Sequence, residues 1–127
     1  MTMRKITVVH CDDTEAKYSR FSECNLESSQ IDERVFESVD QELEAGAERE
    51  LHNAAHHSEF GPVTYVQQVH EGGFAVFAGK PDELEERFFD AGSWVAFMDD
   101  EGPGHGSKVG PNGVKRTLRV LKGHLDL

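Results

Sequence analysis

The chain has 127 residues, with 24 acidic side chains against 13 lysines and arginines, so its formal net charge is -11. That length suits one domain, residues 1–127, which can bury a core without disulfides or a structural metal. Strong negative charge repels nucleic-acid phosphates and anionic lipid, so we expect no direct DNA or RNA binding and no membrane association. The sequence has no apolar run of membrane-spanning length and no signal peptide at its start, which predicts a cytoplasmic protein.

The first half of the chain predicts a strand, a loop and a long helix. Apolar residues alternate over 4–10, which is typical of a half-buried strand. Residues 11–30 are polar and aperiodic, and we interpret them as a long surface loop. Apolar residues then recur every four positions between 31 and 57, the spacing of one helix face. They are Ile31, Val35, Val39, Leu43, Ala47 and Leu51.

The middle of the chain predicts a hairpin and a second helix. Two apolar runs, 63–70 and 74–78, flank a Glu-Gly-Gly sequence at 71–73 and are typical of two hairpin strands. Pro81, two acids after it, apolar Leu84 and Phe88, and a glycine stop at Gly92 then predict a short helix.

The last third predicts two strands around a loop. Residues 93–98 are apolar on both faces, as in a central strand. Residues 99–113 are rich in glycine and proline and predict a long surface loop, and 114–122 alternate as a final strand. The resulting order predicts an α+β fold: one two-layer domain with an antiparallel sheet, two helices on one face, and an extra C-terminal strand after a βαββαβ-like unit.

The charge is distributed unevenly along the chain. Residues 102–127 carry five basic side chains against one acid, whereas residues 1–101 are strongly acidic. A dense acidic face attracts basic partners. The candidate partner-binding residues, all placed on or beside the long predicted helix, are Asp32, Glu33, Glu37, Asp40, Glu44 and Glu48.

The charge pattern suggests a regulatory binding protein as the leading hypothesis. Such a protein would be non-enzymatic and would inhibit a basic protein or a nucleic-acid-binding complex by occupying its basic surface. Small acidic nucleic-acid mimics encoded by phages and mobile elements provide the analogy. The basic strand at 114–122 also suggests a homo-oligomer contact. Solubility alone is the competing explanation for the acidic residues.

A metal site is the second hypothesis, and it would supply the only cofactor: zinc or another divalent transition metal. Glu48, His52 and His56 are spaced by four, so on a helix they would share one face, with His57 adjacent. A metal-dependent hydrolase would need a general base, but Asn53 stands where zinc proteases of this spacing carry glutamate. A solvated polar face is the simpler interpretation of these residues.

Small-molecule binding by an oligomeric domain is the third hypothesis. Aromatic residues at Phe74, Phe77, Trp94 and Phe97 could line a pocket beside the loop at 99–113, although core packing explains them equally. Two further motifs are weak. Cys11 follows His10 directly, so the two side chains would point to opposite faces of a strand. The glycine-rich segment 102–108 lacks the residue order of a phosphate-binding loop.

Overall fold

A computed structural model describes residues 3–57 and 59–126, and this part of the chain is almost entirely β-structure, with 68% of residues in strands and 4% in helix. The α+β prediction is therefore wrong. The elements are β1 (Met3–Cys11), β2 (Ser19–Glu27), α1 (Ser28–Asp32), β3 (Val35–Leu43), β4 (Glu48–His52), β5 (His56–His57), β6 (Gly61–Lys80), β7 (Glu83–Asp90), β8 (Trp94–Phe97) and β9 (His105–Lys122).

The main sheet has the strand order β2-β1-β8-β6-β9-β3. Its pairs are antiparallel except for β1 and β8, which run parallel with Val8 opposite Ala96. β8 is apolar throughout because it lies between two strands and has a neighbour on each side. This agrees with the central strand predicted for residues 93–98.

Two long strands, β6 and β9, extend through two parts of the structure. Residues 63–69 of β6 pair with 116–122 of β9. In this part of the sheet β8 pairs with the other edge of β6, and β3 pairs with the other edge of β9. We call this part the first half-sheet. Residues 74–77 of β6 pair with 106–109 of β9, and here the outer neighbours are β7 and β4. This part is the second half-sheet. Register shifts between them interrupt the β6–β9 ladder.

The buried side chains form two clusters. The inner cluster contains residues from both half-sheets: Val9, Phe21, Val69, Phe74, Val76, Ala78, Phe89, Val95, Phe97, Val109 and Val114. The outer cluster lies on the opposite face of the first half-sheet and is built from Ile6, Val8, Ile31, Val66, Ala96, Met98, Leu121 and Leu125. Ile31 of α1 and Leu125 after β9 cover that face, so the single short helix serves to close the outer cluster.

The long helix predicted for residues 31–57 does not form. Only Ser28–Asp32 is helical, and the rest of the segment forms β3, β4 and β5. A spacing of four is ambiguous because it keeps residues on one face of a strand as well as of a helix. The β-branched and aromatic residues Val35, Phe36 and Val39 favour the strand, and pairing with β9 supplies its backbone hydrogen bonds.

The second predicted helix, 81–92, is also wrong. Pro81 and Asp82 form a tight turn, and β7 returns from it along β6, with Glu83 opposite Lys80. The predicted hairpin at 71–73 is wrong as well, since β6 runs unbroken through both glycines. Here local turn and helix signals are overridden by strand pairing, which satisfies the backbone of both segments.

Both predicted loops are shorter than expected. Residues 19–27 of the first one form β2, which pairs along its whole length with β1, and Ser28 then begins α1. The second one ends early because β9 begins at His105, so the connection after β8 covers only residues 98–104. The predicted first and last strands, 4–10 and 114–122, are confirmed as parts of β1 and β9. No helix in the described ranges is long and apolar enough to cross a membrane.

Candidate functional site

A cavity of about 460 Å³ lies on the inner side of the two half-sheets. Its walls come from β3, β4, β5, β6, β8 and β9, and from the connection 53–55 between β4 and β5. The lining residues are Gln41, Arg49, His52, Asn53, Ala54, Ala55, His56, Tyr65, Gln67, Phe74, Phe97, His105, Ser107, Arg116 and Leu118. Ligand sites in proteins have this size and this mixture of aromatic and polar side chains.

A buried carboxylate orients one histidine of the cavity. Asp99 is fully buried, and its Oδ2 accepts hydrogen bonds from His105 Nδ1 at 2.6 Å and from Ser19 Oγ at 2.8 Å. The His105 ring also stacks on Phe97, with 4.4 Å between ring centroids. Because Nδ1 is held by Asp99, the second ring nitrogen, Nε2, is the one available to a ligand.

A second histidine lies against the first one. The rings of His52 and His105 are 4.7 Å apart at their centroids. His52 Nδ1 donates to the backbone carbonyl of Glu50 at 2.9 Å, so its Nε2 is likewise left for a ligand. Burial lowers the pKa of His52, and the neighbouring His105 and Arg49 lower it further against the opposing effect of the Glu50 hydrogen bond.

Two arginines supply positive charge to the cavity. Arg116 donates from Nε to Gln41 Oε1 at 2.9 Å, and its guanidinium lies over Phe74, 4.6 Å from the ring centroid. Burial, followed by the charge of Arg49, lowers the pKa of Arg116 to about 10. Both side chains line the same cavity, where Arg116 is half-buried and Arg49 is exposed.

The cavity also contains a buried acceptor without a partner. Gln67 Oε1 is buried and has no hydrogen-bond partner among the described residues. An unsatisfied buried acceptor is costly, and a ligand donor or an ordered water is the usual remedy. Gln67 therefore adds an unsatisfied hydrogen-bond acceptor to a lining that also includes Tyr65, Phe97 and Leu118.

The predicted metal ligands are only partly brought together. His52 and His56 both line the cavity. Glu48 is exposed on β4 and pairs with Lys108 at 3.4 Å, so it does not join them. The side chain of His57 lies outside the described residues. Among those that are described, no group of three or more His, Cys, Asp or Glu side chains is arranged to hold a metal ion.

The predicted acidic site is not a helix face. Asp32 ends α1 and Glu33 follows it, Glu37 and Asp40 lie on the edge strand β3, and Glu44 follows β3. These five side chains and Glu48 are all exposed. Charged residues along an edge strand oppose sheet-to-sheet association, which is a second physical reason for their presence. Partner binding through them remains a prediction.

The basic C-terminal strand uses much of its charge within the fold. Lys115 pairs with Glu71 at 3.3 Å, and Arg119 donates to Gln68 Oε1 at 3.0 Å. Arg119 also lies over the ring of Trp94, and Trp94 packs on the outer cluster rather than in the cavity. The proposed oligomer contact through this strand remains a prediction.

Sequence reasoning missed several cavity residues. His105, with the buried Asp99 that holds it, falls in a predicted loop, and no sequence pattern indicates Arg49, Arg116 or Gln41 as site residues. The pair formed by Arg116 and Gln41 joins positions 75 residues apart, and no local spacing indicates it. Two of the four aromatic candidates, Phe74 and Phe97, do line the cavity.

Comparisons with known proteins found no match to a family model, to a curated protein or to a solved structure.

Proposed function

We propose that this protein binds a small molecule in the cavity between the half-sheets. The observation that carries the proposal is the convergence of polar groups without protein partners on one partly apolar space. Gln67 Oε1 is buried without a hydrogen-bond partner among the described residues, and the Nδ1 hydrogen bonds of His52 and His105 leave Nε2 as the ring nitrogen for a ligand. Few, oriented polar groups among aromatic walls are the usual features of a ligand site.

The proposal favours the third sequence hypothesis over the leading one. The acidic side chains are dispersed over α1, β3, β4 and their connections, whereas the cavity groups come from distant parts of the chain to one place. The proposal includes a cytoplasmic location, which rests on the sequence expectation alone.

A ligand screen read by NMR tests the proposal. Compounds that raise the melting temperature are titrated into ¹⁵N-labelled protein, and the side-chain amides of Gln67 and Gln68 are followed. Gln67 lines the cavity, while its neighbour Gln68 accepts a hydrogen bond from Arg119 elsewhere and is the matched control. We expect shifts at Gln67 with Gln68 unchanged. A broad library whose binders leave Gln67 unmoved would refute the proposal.

A divalent transition metal is the second candidate occupant. It is favoured by one observation: the two neighbouring cavity histidines, His52 and His105, each donate Nδ1 to a protein acceptor. Metal-ligating histidines are usually held in this way, so that Nε2 faces the ion. His56 is the remaining imidazole among the residues that line the cavity.

Elemental analysis of protein equilibrated with zinc and then desalted tests the metal candidate. The expected result is about one metal per chain, lost in His52→Ala and retained in His70→Ala. His70 lies outside the cavity, where it is hydrogen-bonded to Thr117 Oγ at 2.7 Å. Equal metal content in both variants, or none in the parent protein, would exclude this site without affecting small-molecule binding.

A further inference from the structure

Four of the thirteen lysines and arginines form ion pairs with carboxylates among the described residues, and the side chains of all four cations are at least 39% exposed. Lys5 contacts Glu23 at 3.3 Å, Arg87 contacts Glu85 at 2.8 Å, and Lys108 contacts Glu48 at 3.4 Å. Acids outnumber lysines and arginines by nearly two to one, so a carboxylate partner is easily supplied.

The two cavity arginines are among the nine without such an ion pair, and Arg116 is half-buried whereas Arg49 is exposed. Neither Arg116 nor Arg49 forms an ion pair with any described carboxylate. Arg116 is tied by Nε to the neutral side chain of Gln41, and no described residue accepts from its two Nη groups. Its guanidinium lies over Phe74, so this contact and the Gln41 hydrogen bond together hold the donors in place.

This arrangement is unfavourable without an anion. Two guanidinium groups that line one cavity repel each other, and burial leaves the charge of Arg116 poorly solvated. Guanidinium loses its proton only at very alkaline pH, so the charge is not relieved by deprotonation at neutral pH. An anion placed between the arginines removes the repulsion and supplies acceptors to the free N–H groups.

We propose that the cavity binds the carboxylate of a small organic acid, with Arg116 and Arg49 holding the carboxylate and the aromatic wall holding the apolar body. The inference rests on the proposed small-molecule function and specifies the ligand class. A planar guanidinium fork matches a carboxylate in a bidentate geometry. Phe97, Tyr65 and Leu118 provide the apolar surface that a flat or branched acid would cover.

The test compares benzoate with benzamide, a neutral molecule of nearly the same shape. Each is titrated into the protein at low salt, and the amide of Gln41, which contacts Arg116, and the amide of Gln67 are followed by NMR. We expect benzoate to shift both resonances saturably and benzamide to bind at least about tenfold more weakly, because charge-assisted hydrogen bonds are lost. Inorganic phosphate is titrated separately.

Variants locate the charge that matters. Arg116→Gln and Arg49→Gln should each weaken benzoate binding at least about tenfold. Arg20→Gln removes an exposed cation outside the cavity lining and should leave benzoate binding unchanged. Urea midpoints identify any variant that fails to fold, and rising salt should weaken benzoate binding to the parent protein.

Each outcome bears on a distinct claim. Equal binding of benzoate and benzamide, or benzoate binding unaffected by both cavity variants, would overturn the organic-acid inference while the small-molecule proposal stands. Tighter binding of phosphate than of benzoate would also overturn it in favour of a phosphorylated ligand. Absence of any benzoate shift would overturn it too, and the neutral ligands of the earlier screen would still decide the proposed function.

Discussion

The two faces of the first half-sheet are built from the same strands but are covered differently. The outer face carries only apolar side chains in its buried cluster and is covered by Ile31 and Leu125. The inner face packs against the second half-sheet through the inner cluster, and then opens into a cavity lined by charged and amide groups. Alternation along a strand thus lets one element contribute to a closed core on one side and line a cavity on the other.

The largest expected effect is at Gly104, which packs against the backbone of the cavity residue His52. Gly104 has φ of +79°, and a Cβ there would overlap the carbonyl of His52, whereas Gly46 has φ of +80° with open space around it. Both alanine variants carry the left-handed strain, but only Gly104→Ala must also displace β4. We expect a loss of about 4 kcal/mol for Gly104→Ala and about 1 kcal/mol for Gly46→Ala by urea denaturation. Equal losses would contradict the close contact at Gly104.

Two leucines of β9 compare the faces directly. Leu121 is fully buried in the outer cluster, and Leu118 lines the cavity. Removing Leu121 leaves a void in packed surroundings, so Leu121→Ala should cost about 3 kcal/mol, whereas Leu118→Ala enlarges an existing space and should cost about 1 kcal/mol. Urea midpoints measure both, and a similar cost for the two would mean that the inner face is packed as tightly as the outer one.

The smallest expected effect concerns pH at the end of β1. Burial, and then the nearby charge of Arg20, lower the pKa of His10, while Asp13 and Asp99 oppose this shift. The unfolded chain therefore binds a proton more readily than the folded one, and stability present at pH 7.5 declines as the pH falls below about 6.5. The slope from this group stays under the roughly 1.4 kcal/mol per pH unit of one full proton.

Urea midpoints at pH 7.5 and 5.5 measure this contribution. The difference in urea midpoint between pH 7.5 and pH 5.5 should be smaller in His10→Gln than in the parent protein. This difference should be reduced less in Arg20→Gln, because burial still lowers the pKa of His10 after the charge of Arg20 is removed. An unchanged difference in His10→Gln would assign the acid sensitivity to other groups.

The strands that the sequence predicts correctly are those whose hydrophobic pattern matches their place in the sheet. Residues 4–10 alternate and lie in β1, and residues 93–98 are apolar on both faces because β8 is a central strand. The failures arise where spacing is ambiguous. Val35 and Val39 share a face in a helix and in a strand alike, and only pairing with β9, about 80 residues away, decides between them.

The site was predicted less well than the strands because it depends on contacts between distant segments. His52 and His56 were identified for a helical geometry that does not exist, yet both line the cavity. Asp99 and His105 lie within a glycine-rich segment that resembles an ordinary loop, and nothing in its composition indicates that the carboxylate is buried against Ser19. Arg116 belongs to an alternating strand pattern that gives no sign of a site, and its partners Gln41 and Phe74 come from other strands.

The length of β6 and β9 has a consequence for how the molecule comes apart. Because each strand belongs to both half-sheets, we expect the unfolding of one half to destabilise the other. The whole chain should then behave as one cooperative unit, in which amide protons of β6 exchange with solvent at a common slow rate on either side of its two glycines. Occupancy of the cavity would slow that exchange along the full strand, so that a ligand touching a few side chains protects the entire fold.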